Sequence, residues 1–193
     1  MEPNETAALV HRAAAGDSRA WEALVMAYAG LVWSVARAHR LGTADAEDVA
    51  QTTWERFARS LDALKEPEHA GAWLATTARR ESLRVLTARN RVTPTGDLTW
   101  TGASPAAEDE ALDRDEQVRR ADLAARVWQA LDRLGDSCQR LLRVLMAEPP
   151  PSYAEAAAAL DMPIGSLGPT RRRCLEKLRR LVEVSPAPGR AHD

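Results

Sequence analysis

The stretch of sequence that decides the fold runs from Ser152 to Leu181 and is SYAEAAAALDMPIGSLGPTRRRCLEKLRRL. It predicts a short helix, a tight turn and a second helix. Ser152 and Glu155 have the spacing of a capping box at the start of the first helix. Asp161 lies where the chain must reverse, and Asp tolerates left-handed backbone better than most residues. This order of signals indicates a helix-turn-helix.

The second of these helices has two unlike faces. Its apolar face, which we expect to pack, consists of Leu167, Cys174, Leu175, Leu178, Leu181 and Val182. Its polar face consists of Ser166, Pro169, Thr170, Arg172, Arg173 and Lys177. Such a face suits the phosphates and base edges of DNA. A solvated charged surface is the alternative interpretation, and the coincidence of capping box, turn and arginines in the right order favours DNA binding.

Pro169 is an unusual residue for the polar face of a helix. If the helix starts near Gly165 or Ser166, Pro169 falls in its first turn. Amide groups there have no intrahelical acceptor, so a missing N–H costs little. We therefore expect Pro169 in the first turn, where its flat apolar surface could also meet a thymine methyl group.

Length and composition restrict the fold class. The 193 residues allow one domain or two small ones. Hydrophobic residues make up 45% of the chain and are mainly Ala, Leu and Val, with a helical period throughout and little strand-like alternation. The predicted fold is all-α. There is no signal peptide and no apolar run long enough to cross a bilayer, so we expect a cytoplasmic protein without membrane insertion.

Cys138 and Cys174 are far apart in the sequence. Each lies beside leucines in a helical pattern, and neither has the spacing of a metal site or of a disulfide framework. We expect two buried thiols and no metal.

The net charge of −2 conceals a segregation of charge along the chain. Residues 71–91 contain five arginines and one acid, and residues 170–180 contain six basic residues and one acid. Residues 97–116, between these blocks, contain seven acids and one arginine. Two basic blocks separated by an acidic tether indicate two modules that contact DNA.

Periodicity divides the chain into two helical regions. Helices are expected over residues 6–15, 18–41, 44–64, 70–91, 114–134 and 137–147, ahead of the helix-turn-helix. Prolines and glycines interrupt residues 92–113, which predicts a flexible acidic linker in which the role of Trp100 stays open. The predicted architecture is two small helical bundles, over residues 1–91 and 114–184, joined by the linker 92–113 and followed by a disordered tail, 185–193.

Three motifs occur in the order found in one known family. They are DAEDVAQ from Asp45 to Gln51, GAWLATTARR from Gly71 to Arg80, and SYAE from Ser152 to Glu155. In this respect the chain, over residues 5–183, resembles the extracytoplasmic-function (ECF) sigma factors, group 4 of the sigma-70 family, in their actinobacterial form. The resemblance implies a region 2-like domain over residues 1–91 and a region 4-like helix-turn-helix domain over residues 114–184.

The resemblance also implies a role for each surface. Contact with the clamp helices of the β′ subunit of core RNA polymerase would involve Asp45, Asp48, Gln51, Thr52 and Glu55. Capture of the opened −10 promoter element would involve Lys65, His69, Trp73, Thr77, Arg79, Arg80 and Arg84, since separated strands expose base faces and backbone phosphates. The polar face of the second helix of the helix-turn-helix would bind the −35 element as duplex. The polymerase β flap and an anti-sigma factor are further partners that the resemblance suggests.

Some positions leave alternatives open. Ala58, Arg80 and the segment from Gly168 to Thr170 depart from the common residues of the family, and these departures leave the promoter sequence open. Trp73 suits a core position beside Leu74 as well as it suits DNA binding.

The sequence favours a promoter-specificity subunit that promotes transcription initiation and has no catalytic activity and no cofactor. The alternative is a free-standing helix-turn-helix regulator that binds operator DNA as a dimer, but a sensor or dimerisation domain would then be expected in place of a second basic helix and an acidic tether. An enzyme is disfavoured because the four histidines are scattered and no phosphate loop or nucleophile motif is present. The regulon, the activating signal and the existence of an anti-sigma factor stay open.

Overall fold

The computed structural model describes residues 1–92 and 114–184. The predicted tail, and the predicted linker apart from its first residue, lie outside the described residues, as does Trp100. The described helices are α1 (Pro3–Ala14), α2 (Ser18–Ala38), α3 (Thr43–Ser60), α4 (Ala70–Val92), α5 (Arg114–Asp132), α6 (Asp136–Leu145), α7 (Tyr153–Leu160) and α8 (Ile164–Val184). Short 3₁₀ turns at Leu61–Ala63 and Pro67–His69 join α3 to α4. No strand occurs in the described ranges, and the all-α prediction is confirmed.

The helix-turn-helix forms through the predicted local signals. The Glu155 N–H donates to the Ser152 hydroxyl at 3.3 Å, and the Ser152 N–H donates to the Glu155 carboxylate at 2.7 Å, so the capping box closes in both directions. Asp161 ends α7 in the left-handed conformation, with φ 57° and ψ 48°. Both features are set by residues within a few positions of each other, which is why the sequence predicts them.

The predicted position of Pro169 is wrong. The carbonyl of Pro163 accepts hydrogen bonds from the Ser166 N–H at 2.9 Å and from the Ser166 hydroxyl at 2.7 Å, and α8 begins already at Ile164. Pro169 therefore lies in the second turn of α8. A proline there removes the amide that would bond to the carbonyl four residues earlier, that of Gly165. Both residues are exposed, so water can hydrate that carbonyl.

An aromatic cluster forms part of the core between α2, α3 and α4. Phe57 is fully buried, and its ring centroid lies 6.0 Å from those of Trp21 and Trp54 and 5.6 Å from that of Trp73. Trp21 and Trp54 meet edge to face at 5.8 Å, a favoured arrangement for aromatic rings. Trp73 thus packs as a core residue, and because it is only half-buried, part of its ring is exposed.

The prediction of two free thiols is wrong. Cys138 of α6 and Cys174 of α8 form a disulfide, with their Cα atoms 5.3 Å apart. Both residues are buried. The chain between them must fold back before the sulfur atoms can meet, and no local pattern predicts that approach.

The helices before and after the linker share one apolar core. α2 packs against α6, and α4 packs against α7. The fully buried residues Leu74 and Val35 of the first set belong to the same cluster as Leu141 and Ala156 of the second. The sequence predicted two separate bundles, whereas the structure packs them against each other.

Candidate polymerase and nucleic-acid interfaces

The polar face of α8 is directed away from the core. Leu167 and Cys174 are buried on the inner side of the helix. On the outer side Ser166 and Thr170 are half-buried, and the exposed members are Pro169, Arg172, Arg173 and Lys177. The predicted −35 residues therefore share one accessible strip on the outer side of α8.

Two features of this strip were not predicted. Tyr153, at the start of α7, has 49% of its surface exposed and lines the same open concavity as Pro169 and Arg172. It is the first residue after the capping Ser152, at the end of the helix that crosses the DNA backbone in helix-turn-helix complexes. The capping box in the sequence could have indicated Tyr153, because this residue directly follows the capping Ser152. Leu175, expected in the core, is 42% exposed, because it faces a groove beside α5.

That groove is apolar and lies between α5, α6 and α8. Its volume is about 540 Å³. Leu123 and Met146 at its rim are 53% and 61% exposed. Its other apolar lining residues include Val127, Trp128, Leu142, Leu145, Leu175 and Leu178. Exposed apolar surface of this kind is typical of a site where another protein docks.

The predicted core-binding residues of α3 lie mostly together. Asp48, Gln51 and Glu55 are exposed and Thr52 is half-buried. All four line a groove between α3 and α4, and the Gln51 side-chain amide donates to the Glu55 carboxylate at 3.1 Å. Asp45 does not join them, because it forms an ion pair with Arg89 of α4.

Glu81 is a member of this groove that the sequence did not predict. It is only 4% exposed, and its carboxylate lies 3.0 Å from the Arg56 guanidinium and 2.9 Å from that of Arg84. A buried carboxylate with two arginines is sensitive to the loss of either partner. The sequence could have indicated Glu81, because it is the lone acid among the five arginines of residues 71–91.

The residues predicted to meet the −10 element do not form one surface. Lys65 and His69 are exposed in the connection between α3 and α4. Along α4, Trp73, Thr77, Arg80 and Arg84 follow the helical spacing of one side, with both arginines exposed.

Arg79 lies on a different side of α4. A step of two residues from Thr77 turns about 200° around the helix axis. Its guanidinium is 3.2 Å from the Asp161 carboxylate, and the side chain is only 19% exposed. The structure thus directs Arg79 at the helix-turn-helix.

Within residues 1–92 and 114–184, no group of three or more His, Cys, Asp or Glu side chains is arranged to hold a metal ion. The helices of those ranges include none long and apolar enough to cross a membrane. What the described residues do present is a helix-turn-helix with an exposed basic strip, a second helix with exposed arginines, and a polar groove beside it. These features are typical of a helical protein that binds nucleic acid.

Comparison with known proteins agrees with this class. Residues 24–92 match the family described as Sigma-70 region 2. The chain is 26% identical over 179 residues to the RNA polymerase sigma-H factor of Pseudomonas aeruginosa, covering 91% of this chain and 92% of that protein. It is also 26% identical over 178 residues to the ECF RNA polymerase sigma-E factor of Escherichia coli, covering 91% and 93%.

Two solved structures share the fold. One is CnrH in complex with the cytosolic domain of CnrY, with a TM-score of 0.61 and 20% identity over 94% of this chain and 99% of the other. The second is the sigma factor RpoE in complex with the anti-sigma factor NepR from Bartonella quintana, with a TM-score of 0.59 and 21% identity over 86% and 98%. The region 2 match and the sigma-factor relatives support an ECF factor of the sigma-70 family, a sigma subunit for transcription initiation. They do not favour the free-standing regulator.

Proposed function

We propose that the protein binds core RNA polymerase, recognises the −35 and −10 elements of promoters and has no catalytic activity of its own. The observation that supports this proposal is that two candidate binding surfaces lie within one matched segment. The segment that matches region 2, residues 24–92, contains both the polar groove of α3 and the exposed arginines of α4. One matched segment therefore carries a surface for polymerase and a surface for the opened DNA strand.

The α3 groove is the proposed contact with the β′ clamp helices. Asp48, Gln51 and Glu55 offer exposed carboxylates and an amide, and Glu81 and Arg84 form the opposite wall. This wall is held by ion pairs, so the groove is formed before a partner arrives. Asp45 is not proposed as a direct contact, because it forms an ion pair with Arg89.

The DNA contacts are proposed for two strips. Arg80 and Arg84 would hold the backbone of the separated −10 strand, with Lys65 and His69 beside them and the exposed part of Trp73 available for stacking. The strip on α8 would enter the major groove at the −35 element, with Arg173 in position to pair with a guanine. In the free protein the Arg173 guanidinium donates to the Thr170 hydroxyl at 3.3 Å.

Further partners follow from the same proposal. The apolar groove between α5, α6 and α8 would receive an apolar segment of the polymerase β flap. An anti-sigma factor would be a regulatory partner, as in the complex of RpoE with NepR.

The proposed domains are residues 1–91 and 114–184. The proposed location is the cytoplasm, and the proposed branch of the family is group 4 in its actinobacterial form.

The decisive experiment is co-purification with core polymerase. We expect Asp48→Lys combined with Gln51→Ala to abolish complex formation, because the change reverses a charge and removes an amide in the groove. Glu47→Lys is the matched control, since Glu47 is an exposed acid of α3 that does not line the groove. Unchanged binding by a folded double variant would refute the assignment of this surface.

A further inference from the structure

The leading end of α8, residues 164–170, contains three residues that weaken a helix. Gly165 lies in its first turn, and Gly168 and Pro169 lie in its second. Glycine and proline are the two least favourable residues in a helix. A Cβ atom on either glycine would meet no atom within 4 Å, and neither glycine has a positive φ. Packing within the protein therefore does not explain why these side chains are missing.

The outer side of the leading end carries no hydrogen-bonding side chain. Gly165 and Pro169 are both exposed there, one turn apart, and buried Leu167 lies on the opposite side of the helix. Pro169 also lacks an N–H, and its ring fixes its own geometry. This side of α8 therefore offers a partner one rigid apolar surface, the ring of Pro169.

The two hydroxyl groups beside this ring are already engaged. The Ser166 hydroxyl donates to the Pro163 carbonyl at 2.7 Å. The Thr170 hydroxyl accepts from the Arg173 guanidinium at 3.3 Å, and both Ser166 and Thr170 are half-buried. Exposed arginine donors begin only beyond the leading end, at Arg172 and Arg173. Apolar contact is therefore what the leading end offers to a base pair.

Thymine is the base that suits such a surface. In the major groove it presents an O4 acceptor and a C5-methyl group, and apolar side chains contact that methyl group. Pro169 and Arg173 line the same concavity and lie one turn apart on one side of α8, about 6 Å along its axis. Because base pairs are stacked about 3.4 Å apart, a thymine under Pro169 would lie about two base pairs from a guanine bound by Arg173.

We propose that the leading end of α8 recognises a thymine of the −35 element through its C5-methyl group, and that Pro169 is the residue that determines this specificity. This inference rests on the proposed function, because it requires α8 to enter the major groove at that element. The absence of side chains at Gly165 and Gly168 then has a role, since it lets the helix approach the base pairs closely. The −35 element is recognised by two chemistries, a methyl contact at Pro169 and hydrogen bonds at Arg173.

Removing the methyl group from the DNA tests this without altering the protein. Promoters selected by the full-length protein in complex with core polymerase are rebuilt with deoxyuridine in place of thymidine, one −35 position at a time. We expect the affinity of the complex to fall about fourfold at one position, the effect of one buried methyl-sized group, and to stay unchanged for deoxyuridine between the two elements. With cytosine at the sensitive position, 5-methylcytosine should bind more tightly than cytosine by a similar factor, because the two bases differ only in that methyl group.

Pro169→Ser tests whether the proline ring makes the contact. The change removes the apolar surface and restores an N–H to the helix, so the fold should be retained. We expect this variant to bind the thymidine and deoxyuridine promoters equally. Pro150→Ser is the matched control, since Pro150 is exposed and does not line the concavity that contains Pro169. It should keep the fourfold difference, and circular dichroism establishes that both variants retain their helices.

The outcomes separate this inference from the proposed function. Equal affinity for thymidine and deoxyuridine at every −35 position, in a complex that still selects promoters, would overturn recognition of the methyl group and leave the proposed function standing. A difference that persists in Pro169→Ser would overturn the assignment to Pro169. If the protein and core polymerase together select no promoter, the proposed function fails and this inference fails with it.

Discussion

The α3 groove and the α8 strip are both polar faces of amphipathic helices, yet they are supported in different ways. The groove is held from the side, where buried Glu81 joins Arg56 of α3 to Arg84 of α4. The strip is held from behind, where Leu167 packs and Cys174 is bonded to α6. Groups that bind a rigid protein partner bind it more tightly when their positions are fixed before binding. An arginine that must adjust to base edges gains from an anchored backbone and a mobile side chain. The following predictions test this difference.

The largest expected effect concerns the support behind α8. Closing a loop of 36 residues should stabilise the fold by about 3–4 kcal/mol. We expect reduction by dithiothreitol to lower the free energy of unfolding by about that amount, measured by urea denaturation of the oxidised and reduced protein. Cys138→Ala combined with Cys174→Ala is the control, and its stability should not respond to the reductant. An equal response in that variant would show that the reductant acts elsewhere.

The second prediction concerns the exposed arginines of α8. Arg173→Ala should relax promoter choice at one or two adjacent −35 positions, with a loss of about 1–3 kcal/mol of discrimination. Arg179 lies almost two turns further along α8 and is paired with Glu183 at 2.8 Å, so Arg179→Ala should weaken binding about equally on all sequences. Transcription from a series of promoter variants distinguishes the two. A uniform loss in Arg173→Ala would make this arginine a phosphate contact.

The third prediction concerns the side support of the α3 groove. Glu81→Gln keeps the shape of the side chain and removes the charge that Arg56 and Arg84 share. Because both arginines are more than half exposed, water offsets part of the loss, and we expect destabilisation by about 1–2 kcal/mol. Binding to core polymerase should weaken as well. Asp62→Asn, at an exposed acid after α3, is the control and should change neither quantity.

The smallest effect concerns the contact between the helices that precede and those that follow residues 93–113. Burial, together with Arg140 and Arg79, lowers the pKa of His39 from 6.5 to about 4, and Asp161 lines the same cavity. The folded protein excludes a proton that the unfolded state binds below about pH 6.5. Stability should therefore fall as the pH drops from about 6.5 toward 4, by about 1–2 kcal/mol at pH 5. Urea denaturation against pH checks this, and His39→Gln should remove that part of the slope.

The sequence predicted those features that depend on near neighbours. The capping box of Ser152, the left-handed Asp161 and the exposed strip of α8 each follow from residues within about two helical turns. The residues of the α3 face were taken from the family resemblance, which gives no sign that Asp45 pairs with Arg89 on another helix.

What the sequence did not predict depends on how distant segments meet. The Cys138–Cys174 bond requires α6 and α8 to pack. The pairing of Arg79 with Asp161 requires the two sets of helices to close. The burial of Glu81 depends on α3 lying across α4. Helical periodicity shows which face of a helix is apolar, but it does not show which helix will cover that face.

Promoter recognition by this protein is tested by transcription in vitro with core RNA polymerase on fragmented genomic DNA, with the starts of the transcripts sequenced. We expect that adding the protein produces initiation at a set of sites that share a −35 and a −10 motif. We also expect that Arg173→Ala changes the −35 motif and leaves the −10 motif unchanged. Initiation that does not depend on the protein, or binding of a dimer to operator DNA without any effect on core polymerase, would show that the protein is not a promoter-specificity subunit.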